Sequence, residues 1–368
     1  LGLATVVGWA CLNDRDSQNS HYAPGAIEAT IGWYEVNPPL YYQMRIERIE
    51  KKAKTIQLTA QDYDDLAVAY DRSGNDDKAI EWIKRKDEDT ESGKLTNFTR
   101  AEKVPVTEGK TWIDDRTYFK YSTQANWGTF LVHRWIKRGA KKEEIDQATE
   151  SLQRLEKAVE INPEAHSERE WAQIAMVRWL IGEKTEPTGE IAEEFMGGGK
   201  KTIAGLAGLV TLGNAWESVD VFMALQTRTN YSSEARAFAY LREQELRGMG
   251  RTSLAGLTSQ NPDPKELPPE FLESERKVFT DWRKQAEKMK ADRLAFMTER
   301  LSQGMHPDTD GDRVWEGYHE PEMPRHHDKP GEHLTPVQAG GLVFCFGTVS
   351  YALYLYFRGR QGRKPIKN

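Results

Sequence analysis

The residues whose types and spacing suit chemistry lie near the C-terminal end of the chain, and they are carboxylates. Asp308, Asp310 and Asp312 stand at alternating positions in DTDGDRVWEGYHE, with Glu316 four residues further on. A tight loop that gathers several carboxylate oxygens suits calcium, a hard ion that takes about six to eight oxygen ligands. The glycine comes too early for an EF-hand loop, and a solvated acidic turn fits the same residues. Five of the eight histidines, His306, His319, His326, His327 and His333, fall in the same stretch, where they could meet a transition metal. They equally suit a Pro-rich connector with partly exposed polar side chains, because no i, i+4 pair fixes a geometry.

Other candidate chemistry fails on spacing. The run GGGKKT at 197–202 lacks both the Gly-Lys-Ser/Thr unit of a phosphate-binding loop and the glycine that should precede it. It reads as a turn before a helix. The only cysteines, Cys11 and Cys345, stand at opposite ends of the chain, so no disulfide framework, zinc site or haem attachment can be written from them. No nucleophile elbow or scaffolded carboxylate pair is visible either. The expectation is a protein that is not an enzyme.

The elements that must position these groups are helices. In YDDLAVAYDRSGNDDKAIEWI (63–83), Tyr63, Leu66, Ala67 and Tyr70 share one helical face, Gly74 marks a turn, and Ala79 and Ile83 face back from a second helix. Ala67 and Ala79 allow close helix approach, and Tyr70 is expected between the two helices. Asp76, Asp77 and Lys78 are expected in the turn, where changes should be nearly neutral. This segment resembles a tetratricopeptide repeat, with each slot of the pattern filled. A second copy starts at Trp127-Gly128 and closes with Ala158 and Pro163. It carries about eleven extra residues around Trp135–Asp146, which lengthen the hairpin.

Further helices are expected at 168–181, 203–224, 234–247 and 271–301. The last places Phe279, Trp282, Ala286, Met289, Met297 and Leu301 on one stripe, and the Pro-rich run 260–269 reads as a linker before it.

The order ACLNDRDS, NPPLYYQMRIERI, DDLAVAYDRSG, ANWGTFLVH, EINPEAH resembles a group of exported bacterial repeat proteins. That resemblance implies export and a helical-hairpin fold, and it brings no catalytic residues. The Asp308 run resembles the Asp-rich calcium repeat of thrombospondin type 3, with Arg313 in place of a glycine and Glu316 in place of an aspartate.

The ends of the chain speak of a membrane. Residues 337–357, VQAGGLVFCFGTVSYALYLYF, carry no charge and are long enough to cross ~30 Å of hydrocarbon at ~1.5 Å per residue. Five basic residues and no acid follow, namely Arg358, Arg360, Arg363, Lys364 and Lys367. The positive-inside bias therefore predicts a cytoplasmic C-terminus and a body on the outer, periplasmic side. The apolar run LGLATVVGWAC reads as the remnant of a signal sequence, with Gly8 and Ala10 placed for cleavage before Cys11, as a lipidation site at Cys11, or as a retained anchor. The net charge of −6 becomes −11 without the tail, so the body is unsuited to nucleic acid.

The fold expected is thus all-α: a tetratricopeptide-like solenoid, a long amphipathic helix and one C-terminal transmembrane helix. The parts are a signal remnant or anchor (1–11), an extension with a helix (12–57), repeats (58–182), further helix pairs (183–258), linker and long helix (259–302), an acidic, His/Pro-rich stalk (303–336), the span (337–357) and a basic tail (358–368). The function expected is a non-catalytic, membrane-anchored scaffold or accessory subunit that binds protein partners of a membrane complex and needs no cofactor. The alternative is a module responsive to calcium or another metal through the stalk at 306–333.

Overall fold

The computed structural model describes residues 12–19, 25–100, 113–163, 169–185, 203–228, 233–254 and 267–325. Residues 1–11, the run at 197–202, His326, His327, His333, the apolar span at 337–357 and the basic tail lie outside them. Among the described residues every regular element is a helix, and none of these helices is long and apolar enough to cross a membrane. Two compact units divide the chain, Leu1–Pro321 and Glu322–Asn368, and all described helices belong to the first. Of the second, residues 322–325 are described and are irregular. The stretch expected as a stalk therefore begins inside the first unit.

In chain order the helices are α1 (Arg15–Asn19), α2 (Ala26–Ile31), α3 (Pro39–Ala53), α4 (Ala60–Arg72), α5 (Asp76–Glu91), α6 (Asp115–Lys137), α7 (Ile145–Ile161), α8 (Arg169–Thr185), α9 (Ile203–Thr211), α10 (Val219–Arg228), α11 (Ser233–Gly248), α12 (Pro269–Ser302) and the single turn α13 (Pro307–Asp310). Local chemistry sets their ends. Pro39 opens α3 at a position that needs no amide donor. At α4, Thr59 and Asp62 form a reciprocal capping box, and Lys52 adds an ion pair to Asp62 at 2.6 Å. Asn75 and Asp114 cap α5 and α6 by accepting from backbone amides of the first turn. Gly74, at φ +81°, makes the left-handed step that lets α5 fold back on α4.

From α3 to α11 each helix packs on the next, and α12 returns to lie on α2, α3 and α11. The stripe read from the sequence is the buried face of α12, with Phe238 of α11 edge-on to both Phe279 and Trp282 at 5.6 Å. Burial is worth about 1.5–3 kcal/mol for each large apolar side chain, enough for this stripe to hold the helix down. One helix expected over 203–224 is broken instead. Gly213 and Asn214 interrupt it, Asn214 at φ +65°, and a 3-10 turn at Ala215–Glu217 leads into α10.

The two hairpins α4/α5 and α6/α7 share a packing register. Leu66, Ala67 and Ala79 are fully buried in one core with Tyr63, and so is Ala158. Gly128 shows why the second copy needs a small residue. A Cβ there would stand 2.8 Å from Leu155 Cγ and 2.9 Å from the Ser151 carbonyl, and the Ser151 hydroxyl donates to the Gly128 carbonyl at 2.6 Å. Ser151 thus takes the place in α7 that Ala79 takes in α5. The eleven extra residues lie between Gly128 and Ser151: four extend α6, four lengthen the connection, and three extend the start of α7.

Candidate functional site

The faces of α4 and α6 that meet are unusually polar. Asp64 and Asp65 on α4, and Ser122, Asn126, Thr129 and His133 on α6, are all buried. On α6 they recur at helical spacing along one side, with Trp127 and Phe130 serving the apolar contacts. Lys86 of α5 reaches into this seam. Its ammonium lies 2.7 Å from both Asp64 oxygens, 3.0 Å from Ser122 Oγ and 3.1 Å from the Phe119 carbonyl. Burial raises the Asp64 carboxyl above its ordinary range and lowers the Lys86 ammonium below its own.

The start of the described chain, irregular at residues 12–14 and helical from Arg15, is seated on this seam. The Asn13 amide donates to Asn126 Oδ1 at 2.7 Å, while Asn126 Nδ2 donates to the Asn13 carbonyl at 2.8 Å. One carboxamide therefore satisfies both backbone groups of one residue, much as a neighbouring strand would. Tyr121 donates to the Asn13 side chain at 3.2 Å, and Leu12 is buried in the adjacent apolar core. Arg15 meets Asp65 twice, through its backbone amide at 3.0 Å and its guanidinium at 2.6 Å.

Arg45 of α3 closes the site from the other side. Its guanidinium is fully buried and meets Asp14 at 3.1 Å, Asp16 at 3.0 Å and Asp308 at 2.6 Å. Burial and the neighbouring Asp16 and Asp65 carboxylates outweigh Arg45 and the Ser17 amide at Asp14, pushing that carboxyl up to about 7.

These contacts correct the calcium expectation at Asp308, Asp310, Asp312 and Glu316. The Asp308 carboxylate is buried and gripped by Arg45 through two nitrogens, with Arg48 on the same group and Arg15 at 3.6 Å. Against the cost of burial, these cations hold it well below the usual carboxylate range and would repel a further cation. Asp310 accepts from the His306 amide and Thr309, while Asp312 and Glu316 are exposed, so the four do not converge on one point. His306 is likewise committed. Its ring stacks on Tyr41 at 4.5 Å, Nε2 faces the Tyr41 carbonyl and Nδ1 faces the Asp308 amide. His319 is exposed.

The repeat-packing residues fall as follows. Tyr63 is buried, with its hydroxyl on Asp89. Tyr70 is a correction: it sits half-buried at the rim, with its hydroxyl on Glu50 of α3, rather than enclosed between α4 and α5. Trp127 is buried under the Arg154 guanidinium, 3.4 Å from the ring centroid. Pro163 is exposed, two residues beyond the end of α7. Asp76 is also a correction, because it is buried and paired with Lys137 at 2.6 Å, whereas Asp77 is exposed as a turn residue should be.

Sequence reasoning missed Asn126, Asp64, Asp65, Asp71 and His133. The signal available was the polar row Ser122, Asn126, Thr129, His133, which runs beside the Trp127-Gly128 pair at intervals of four, three and four. The Asp71 and His133 side chains meet at 2.7 Å between Oδ1 and Nδ1 at the far end of the seam. Comparison with protein-family models, with curated proteins and with solved structures returns no match.

Proposed function

We propose that this chain is a non-catalytic helical-repeat scaffold whose α4/α6 seam holds a polypeptide segment, and that residues 337–357 tether it to a membrane with its body on the periplasmic side. The observation that carries the reading is the two-way capture of the Asn13 backbone by Asn126. A side-chain amide that pairs with both backbone groups binds main chain irrespective of sequence, while Asp65 and Arg45 select charge on either side. An accessory subunit of a membrane complex needs this kind of surface, since a partner's segment can take the place of residues 12–16.

The test uses the full-length protein and a labelled peptide copying residues 10–19. A chain lacking residues 1–17 should bind the peptide, and the intact chain should bind it far more weakly because its own segment competes. Asn126→Ala in the shortened chain should abolish binding. Equal binding by intact and shortened chains would remove the reading.

A further inference from the structure

The turn that joins α4 to α5 brings three potential metal ligands together from three helices. Asp71 is the penultimate residue of α4, Asp76 is the first residue of α5, and His133 lies on α6 two turns beyond Asn126. One oxygen of each carboxylate and one imidazole nitrogen lie within 4.8 Å of one another, and all three residues are buried. We propose that Asp71, Asp76 and His133 form a binding site for a divalent first-row transition-metal ion, with zinc as the reference ion.

The donor set fits that class. One nitrogen and two carboxylate oxygens suit zinc at about 2.0–2.2 Å from each ligand, whereas calcium calls for a larger shell made of oxygen alone. Three protein ligands leave positions open for water. A cavity of about 330 Å³ lies at Asp76, bordered by Ser73, Asn75, Asp77, Arg134 and Lys137, and it gives an ion a path to the Asp76 carboxylate.

A plain buried hydrogen bond explains the contact between Asp71 and the Nδ1 of His133, but it leaves one feature over. That contact does not require a second buried carboxylate beside it. Asp76 is brought to within ligand distance of Asp71, so two buried carboxylates stand together with His133 and Lys137 against them, and a divalent ion would offset their mutual repulsion. Lys137 stands on α6 one turn after His133, retains 24 % side-chain exposure and borders the cavity, so its ammonium can swing out as a metal ion enters. Arg134 and Arg138 do not stand in the way, because both are paired with Asp77.

The experiment takes the full-length protein, stripped with a chelator, and follows cobalt(II) absorption in the visible range together with zinc uptake by equilibrium dialysis. One equivalent should bind, with d–d bands showing four- or five-fold coordination. His133→Gln should abolish the bands, with its fold checked by circular dichroism without metal, and Asp76→Asn serves as the second ligand variant. Lys137→Met should tighten zinc binding several-fold, because the competing ammonium is gone. If both ligand variants fail to fold, Lys137→Met decides the matter: tighter uptake than wild type supports the site and equal uptake overturns it. Absence of cobalt bands and zinc uptake in both wild type and Lys137→Met overturns it as well. So does uptake undiminished in a folded His133→Gln, which would place the ion on His306, His319 or the other histidines of that stretch.

Discussion

The hairpins α4/α5 and α6/α7 solve one packing problem with different materials. In each, small residues sit in the contact: Ala67 and Ala79 are fully buried in one core in the first, and Gly128 meets Ser151 in the second. Beyond that pair they diverge. The first closes through a three-residue turn and pairs Asp64 with Lys86 within itself, while its Asp71 and Asp76 face His133 and Lys137 of α6. The second is eleven residues longer and closes on an apolar end, where Trp135 is buried and its indole donates to the Lys141 carbonyl at 2.9 Å. An insertion distal to the contact pair leaves the register untouched. The short hairpin turns its buried polar groups toward α6, and the long one packs against them.

If the first hairpin is held by its buried ion pair, breaking that pair should have the largest effect. Lys86→Met leaves Asp64 buried without its cation, with Ser122 and Asn126 as its remaining donors. The cost expected is about 3–5 kcal/mol by urea unfolding. The double change Asp64→Leu with Lys86→Met should recover most of the loss. Recovery that fails would mean that the seam is specified by more than this pair.

The second hairpin should be more sensitive to volume than to charge. Gly128→Ala places a methyl group 2.9 Å from the Ser151 carbonyl, a backbone atom that cannot turn aside. Overpacking of about 1–3 kcal/mol should outweigh the gain of about 1 kcal/mol in helix propensity, and thermal unfolding should show a net loss. A gain in melting temperature would show that α7 can slide outward, and the two hairpins would then differ in rigidity as well as in length.

How far each hairpin was legible follows from the same contrast. Ala67, Ala79 and Gly128 stood out because small residues at helical spacing have one use. Ser151 did not, because a serine is read as polar and the insertion hides its distance from Gly128. Local spacing also gave the α12 stripe, since its face is set by helical period alone. The carboxylates at 308–316 misled because their meaning lay far away: Asp308 is paired with Arg45, 263 residues earlier in the chain. The groups proposed as metal ligands were invisible for the opposite reason. Asp71 and His133 are 62 residues apart, and no motif links them until α6 packs on α4.

The finest distinction is between charges that hold the N-terminal segment at every ordinary pH and the one that titrates. Asp308 is held well below the carboxylate range, so its contribution is present above its unfolded value near 3.8 and is lost only in strong acid. Asp14 runs the other way. Its folded value is raised to about 7 by burial and by Asp16 and Asp65, in spite of Arg45. The docked state therefore binds the proton more tightly than the released one, and the Asp14 contribution is fully present below about 3.8 and lost as the pH rises through 7. Between pH 5 and 8, docking of residues 12–17 should weaken. A fluorophore on Cys11, in a chain carrying Cys345→Ser, should lose anisotropy across that range. Asp14→Asn keeps the uncharged form at every pH, so its anisotropy should stay flat. A pH dependence that persists in this variant would assign the change to another group and leave Asp14 as a simple partner of Arg45.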